Sequence, residues 1–191
     1  MIGLLGGSFD PIHHGHLLVG QAAVEQLGLE ELRFMPAGEQ PFKRGRHAVA
    51  AERRAEMVAL AIAGEPRFRL ERAEVERPGP SYTVDTLRAL RAREPGAEFA
   101  VLVGADAAAE LPLWHEAAEL PRLARIVVFE RAGEAAPASP MVTGRIAVPA
   151  LELSATAIRA RVAAGLSIRY WVPDAVADYV AAHGLYRNGA G

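Results

Sequence analysis

The chain has 191 residues, enough for one domain around a single core and too few for two domains with independent cores, so one domain over residues 1–187 and a short tail over 188–191 are predicted. Apolar residues make up 51% and charged residues 23%, which excludes extended disorder, and a formal net charge of −2 gives no footprint for a nucleic-acid partner. The absence of cysteine excludes disulfides, thiolate catalysis and Cys-held metals, while the lack of a basic leader before Ile2 and of any apolar stretch of spanning length predicts a cytoplasmic protein without a membrane partner.

Short apolar runs alternate with helical patterns from the first residue onward. Ile2 to Leu5 reads as a strand, followed by a helix with Leu17, Val24 and Leu27 on one face and Gly28 at its stop. Leu32 to Met35 is the second strand. Val49, Met57, Leu60 and Ala61 then form the stripe of a second helix ended by Gly64. Phe68 to Leu70 is a third strand, and Val84, Leu87 and Leu90 mark a helix after Thr83. Phe99 to Val103 and Ile126 to Phe129 are further strands, Arg145 to Val148 is a weaker sixth, and Val176, Tyr179 and Val180 make a last helix ended by Gly184. This alternation predicts an α/β fold, a Rossmann-like three-layer domain with a central parallel sheet, and it places ligands beyond the carboxyl ends of the strands. The Ala/Pro-rich segment from Gly133 to Pro140 and the tail read as surface.

The first chemical motif runs from Gly6 to His16, Gly-Gly-Ser-Phe-Asp-Pro-Ile-His-His-Gly-His, where a strand passes into a helix. Gly6 and Gly7 permit a sharp turn and close approach of a ligand to the main chain, and the helix start aims unpaired N–H groups at the same place. His13 and His16, three residues apart around that start, can turn both rings to one side and donate to phosphate oxygens. A plain helix start and a zinc-binding histidine pair are the competing readings. The second motif, Ser154-Ala-Thr-Ala-Ile-Arg159, is another helix start. Ser154 is an N-cap, Ile158 and Val162 form the buried side, and Thr156 shares a face with Arg159, so hydroxyls, open amides and a guanidinium can converge on an anion. Here a capped helix with a solvated arginine is the alternative.

His13-His14-Gly15-His16 with its preceding Gly-Gly-Ser-Phe-Asp-Pro resembles the HxGH nucleotidyltransferase superfamily, and Leu153 to Arg159 resembles that superfamily's ISxTxIR motif, with Leu153 in the first place. Class I aminoacyl-tRNA synthetases carry a related signature, but they are much longer and have a KMSKS loop that is not found here. The resemblance implies ATP as ligand, held by Gly6, Gly7, Ser8, Phe9, His13, His16, Gly104, Asp106, Ser154, Thr156, Ile158 and Arg159, with His13, His16 and Arg159 catalytic. It implies Mg²⁺ carried mainly by the ATP phosphates, with no metal-ligating residues assigned on the chain.

Three further stretches resemble the nicotinate mononucleotide adenylyltransferase branch. Ser81, Tyr82 and Thr83 precede Asp85 at a helix start whose amides suit a carboxylate, although capping explains the same residues. Val103-Gly104-Ala105-Asp106 is followed by Leu111 and Trp114, an indole that can serve as core or as a platform for a pyridine ring, with His115 unassigned beside it. Met35 to Lys43 resembles the branch's lysine-bearing loop, with Phe42 where the branch usually has His. The resemblance thus implies nicotinate mononucleotide as acceptor, bound by Lys43, Ser81, Tyr82, Thr83 and Trp114. Phosphopantetheine adenylyltransferase, a cytidylyltransferase and a catalytically silent ATP sensor are the rival functions, and whether the chain forms a homo-oligomer stays open.

Overall fold

The structure, a computed structural model, describes residues 1–39, 48–131 and 138–187. Lys43, the tail and most of the Ala/Pro-rich segment therefore lie outside the described residues. Six strands, β1 (Ile2–Gly7), β2 (Glu31–Pro36), β3 (Phe68–Leu70), β4 (Phe99–Gly104), β5 (Arg125–Arg131) and β6 (Gly144–Val148), form one sheet in the order β3-β2-β1-β4-β5-β6. Every adjacent pair is parallel. All six expected strands are present, including the weak sixth.

The helices are α1 (His14–Leu27), α2 (Ala51–Ile62), α3 (Ala73–Glu76), α4 (Thr83–Arg93), α5 (Ala105–Glu110), α6 (Leu120–Leu123), α7 (Ala155–Ala163) and α8 (Asp174–Ala182). They cover both faces because the strands are apolar on both faces. Along β4, Leu102 packs into one core while Val101 and Val103 pack into the other; along β5, Val127 opposes Ile126 and Val128 in the same way. One core gathers residues of α1, α2, α7 and α8, including Val24, Met57, Ile158 and Val176; the other gathers residues of α4, α5 and α6, including Leu87, Ala108 and Leu120.

Gly28 ends α1 in the left-handed region, with φ of 60°, as its sequence position implies. The second helix corrects the expected stripe. Val49 lies before α2 and Leu60 is 40% exposed, whereas Arg54, Ala55, Met57, Val58 and Ile62 face inward. The core-facing stripe is rotated from the apolar periodicity because a fully buried arginine occupies it.

Strand order reverses about β1 and β4, which leave the centre of the sheet toward opposite sides. A crevice opens beyond their carboxyl ends, at Gly6 and Gly7 on one side and Gly104 on the other.

Candidate active site

The turn after β1 brings both histidines to the start of α1. His13 is the N-cap residue, with extended backbone, and His16 stands three positions on, so their rings stack with centroids 3.8 Å apart. Gly15 makes room for this, since a Cβ there would lie 3.0 Å from the His13 ring. The His13 main-chain N–H donates to His16 Nδ1 at 3.2 Å, which leaves the other nitrogen, Nε2, to carry the proton of a neutral His16 ring. Phe9, itself in the left-handed region with φ of 48°, sets its ring edge-on to His16 at 4.9 Å and is otherwise buried.

Burial, then the positive charges of Arg131 and His14, push the His13 pKa down to about 4. Burial, then His13 and Arg131, hold His16 well below its ordinary value. Both rings are thus neutral at pH 7 in the free protein, and the cation acting on both is Arg131 at the carboxyl end of β5. His13 Nδ1 is buried and faces the His16 main-chain N–H across the capping box of α1, without a hydrogen bond of normal geometry.

The second motif folds against the first. Ser154 caps α7 and accepts the Ala157 N–H at 3.1 Å. Arg159 extends from the same helix, with Nη2 donating to Thr156 Oγ1 at 3.3 Å and Nη1 donating to the Asp10 carbonyl at 2.9 Å. Ile158 is fully buried and its N–H is engaged by the Ser154 carbonyl, so it serves α7 as a core anchor.

Asp10 is the hinge of this arrangement. Its carboxylate accepts the Ala48 N–H at 2.7 Å and the Tyr186 hydroxyl at 2.8 Å, joining the turn after β1 to the segment before α2 and to the end of the described chain. Arg54 lies beside it. This guanidinium donates to the carbonyls of Ser8 (2.6 Å), Ala37 (2.6 Å), Gly38 (3.1 Å) and Val49 (3.3 Å), tying the turn after β1 to the turn after β2.

A cavity of about 530 Å³ occupies the crevice, lined by residues that include Gly6, Gly7, Ser81, Tyr82, Thr83, Gly104 and Trp114. The structure therefore gathers the expected acceptor residues, apart from Lys43, around one space. Tyr82 is the N-cap of α4 and Thr83 its first residue, and the Tyr82 side chain makes no capping bond. Trp114 is partly buried against the α4–α5 core while one side faces the cavity. His115 joins the lining, its ring 4.3 Å from that of Tyr82 and its Nε2 3.1 Å from Glu116. Ser81 has a different primary task, accepting the Gly38 N–H at 3.0 Å. Asp106 is exposed in the first turn of α5 and does not line the cavity; Gly104, not Asp106, holds the N-cap position.

Sequence reasoning missed Arg54, Arg131, the structural duty of Asp10 and the partner of Tyr186, whose segment resembles the family's C-terminal helix and reads as structural. For Arg54 a signal existed, since a charged residue sits at helical spacing with Met57, Val58 and Ile62. For Arg131 and Tyr186 none did, because their importance arises from where distant segments meet.

The cytidylyltransferase-like family model matches residues 4–161. A relative from Roseiflexus sp. (strain RS-1), named probable nicotinate-nucleotide adenylyltransferase, is 46% identical over 196 aligned residues, covering 97% of this chain and 98% of the relative. A relative of the same name from Thermus thermophilus is 46% identical, covering 97% and 99%. Among solved structures, Plasmodium falciparum nicotinic acid mononucleotide adenylyltransferase complexed with NaAD has a TM-score of 0.78 at 17% identity, covering 100% of this chain and 98% of that one, which shows the shared fold. With near-complete coverage at that level of identity to the two named relatives, the chain belongs to the nicotinate-nucleotide adenylyltransferase family of cytidylyltransferase-like proteins.

Proposed function

We propose that the chain transfers the adenylyl group of ATP to nicotinate mononucleotide, releasing pyrophosphate and forming nicotinate adenine dinucleotide. The observation that carries this reading is the junction of two helix starts, α1 and α7, through Arg159 and Asp10, next to a cavity lined by residues that include Tyr82, Thr83 and Trp114. The names of the full-length relatives support the same acceptor.

The acceptor's phosphate, with a second pKa of ~6, is mostly a dianion at pH 7 and is already a nucleophile, so no general base is needed. One of its oxygens bonds to the α-phosphorus of ATP while the bond from that phosphorus to the bridging oxygen breaks and pyrophosphate leaves with the electron pair. The protein's task is to hold two anions in line and to stabilise the charge that gathers on the departing oxygens.

His16 Nε2–H is the donor aimed by the rest of the turn, with His13 stacked on it and Arg159 and Arg131 supplying fixed positive charge. Ser154 and Thr156 hold the opposite helix start open to the triphosphate, and Gly6, Gly7 and Gly104 let the nucleotide lie against main chain. The open amides about Thr83 suit the nicotinate carboxylate, with Trp114 beside the ring. Lys43 is assigned to the acceptor's phosphate by resemblance.

Mg²⁺ fits this site through the nucleotide rather than through a protein cage: the donors gathered here are imidazoles, guanidinium groups and N–H groups, and the Asp10 oxygens are engaged by Ala48 and Tyr186. When bound, the ion neutralises phosphate charge. We further assign the chain to the cytoplasm and to small-molecule partners, in keeping with its charge.

Removing one well-placed donor typically costs ~10²- to 10³-fold in rate. His16→Ala is therefore expected to lower kcat for pyrophosphate release by that factor, with the KM values for both substrates changed far less. Near-normal turnover of that variant would remove His16 from the chemistry.

A further inference from the structure

Behind the wall of the acceptor cavity lies a buried polar knot centred on Thr86. This residue ends the first turn of α4, is fully buried and stands outside the cavity lining. Arg77 donates to its hydroxyl oxygen through Nη2 at 2.9 Å. The hydroxyl's own proton has two acceptors in reach, Glu74 Oε1 at 3.0 Å and the Tyr82 carbonyl at 3.2 Å. The Tyr82 carbonyl already accepts the Thr86 main-chain N–H at 3.2 Å, so the hydroxyl proton goes to Glu74, a buried carboxyl that needs a donor.

The knot locks three segments at one point. Glu74, on α3, also bonds the Ser81 hydroxyl, which accepts the Gly38 N–H at 3.0 Å. The Ser81 main-chain N–H donates to the Glu39 carbonyl at 2.8 Å. Gly38 packs so closely on α3 that a Cβ there would fall 2.2 Å from the Glu74 carbonyl oxygen. Val84 and Leu87 bury α4 in the core, but apolar contact has no preferred direction. Hydrogen bonds do, and those at Thr86 set the rotation and depth of the first turn, which carries Tyr82 and Thr83 to the cavity.

We propose that Thr86 is a positioning residue for the acceptor: its hydroxyl, held between Arg77 and Glu74, aims the amides at the start of α4 into the cavity. The inference rests on the proposed nicotinate mononucleotide reading of that cavity. Without the hydroxyl, Arg77 and the buried Glu74 lose their shared partner and can satisfy each other only by moving the turn between them. The amides about Thr83 then lose their aim at the acceptor, while the two helix starts that hold ATP, on α1 and α7, stay as they are.

The test compares Thr86→Val, which keeps the shape and removes the hydroxyl, with Thr86→Ser, which keeps the hydroxyl and removes the methyl group. The KM for nicotinate mononucleotide is expected to rise roughly tenfold in Thr86→Val, the size of one misplaced hydrogen bond. The KM for ATP and the kcat per folded enzyme are expected to stay within about twofold of wild type, because the interaction lost is one of acceptor binding. Thr86→Ser is expected to bring the acceptor KM back to within about threefold of wild type. A hydroxyl that served the fold alone would lower stability in Thr86→Val and leave the acceptor KM unmoved.

Should Thr86→Val fail to fold, Arg77→Met decides, since Arg77 is half-buried and enters the knot from its edge. It is expected to raise the acceptor KM about threefold with the KM for ATP unchanged, and an unchanged acceptor KM overturns the inference. An acceptor KM at the wild-type value in Thr86→Val, or equal rises in the KM for both substrates, overturns it while leaving the acceptor assignment in place. Equal rises in Thr86→Val and Thr86→Ser also overturn it, transferring the effect to the methyl group. Failure of the wild-type protein to use nicotinate mononucleotide overturns the acceptor assignment, and the inference with it.

Discussion

Arg159 donates to the main-chain carbonyl of Asp10 at 2.9 Å, a contact spanning 149 residues of sequence that draws the start of α7 onto the start of α1. The bond is to main chain, so Arg159 keeps its charge uncompensated by that partner and free to act on a bound anion. It also orients one arm of the guanidinium while the other rests near Thr156. Lysine cannot reproduce this two-armed placement. Arg159→Lys is expected to lose ~10- to 100-fold in kcat and Arg159→Ala ~10²- to 10³-fold, measured as pyrophosphate release at saturating substrates. Equal activity in wild type and Arg159→Lys would show that only the charge matters.

Arg54 makes a different kind of claim. It is fully buried, and its four carbonyl partners lie on three segments that border the crevice. Replacing it by methionine fills much of the space but strands those carbonyls and leaves Asp10 without its neighbouring cation. A loss of roughly 3–5 kcal/mol in unfolding free energy is expected for Arg54→Met, read from urea denaturation, with a raised KM for ATP in whatever protein folds. A variant as stable as wild type would mean that water or rearranged main chain satisfies these groups.

The depressed pKa of His13 makes stability pH-dependent. The folded value is about 4 and the ordinary value is 6.5, so as pH falls the unfolded chain binds this proton first. The stabilising contribution is complete above pH 6.5 and is lost progressively down to about 4, with a slope of at most about 1.4 kcal/mol per pH unit. Glu74, whose folded pKa is raised, has the opposite sign: its contribution is present below its ordinary value of 4.5 and fades as pH rises through the folded one. Comparing urea midpoints of wild type and His13→Gln at pH ~7 and pH ~5 isolates the histidine, since the variant should lose less stability on acidification. Parallel losses in the two proteins would contradict a buried neutral His13.

Trp114 tests the acceptor side separately. Aromatic stacking on a nucleobase-like ring is worth ~1–3 kcal/mol by alanine substitution. Trp114→Ala should therefore raise the KM for nicotinate mononucleotide by ~5- to 100-fold while the KM for ATP stays near its wild-type value. A change confined to ATP would place the adenine, not the pyridine, against this residue.

The sheet was legible because each strand is a short, largely apolar run bounded by turn residues, continuous in the central β4 and interrupted by an arginine in β2, β3 and β6. The pairs His13/His16 and Thr156/Arg159 were legible because local helix geometry alone brings each pair together. Stripe assignment failed at α2 because apolar periodicity takes Leu60 as core and gives Arg54 no place, whereas the carbonyls of Ser8, Ala37 and Gly38 need a donor just there. The same physics hid Tyr186: a tyrosine near the end of the chain gains its role only when α8 packs and its hydroxyl meets Asp10. Ser81, Ile158 and Asp106 carry a related lesson. They sit within motifs of the expected type, yet Ser81 bonds to Gly38 and Glu74, Ile158 is core, and Asp106 stands outside the cavity lining.

The central claim is tested most directly by mass spectrometry of the products formed from ATP and Mg²⁺ with nicotinate mononucleotide, nicotinamide mononucleotide or phosphopantetheine, each supplied separately. The account predicts nicotinate adenine dinucleotide and pyrophosphate as the dominant products, at a rate exceeding that with either other acceptor. Dephospho-coenzyme A as the main product would contradict the acceptor assignment, and ATP binding without product from any of the three would contradict the chemistry itself.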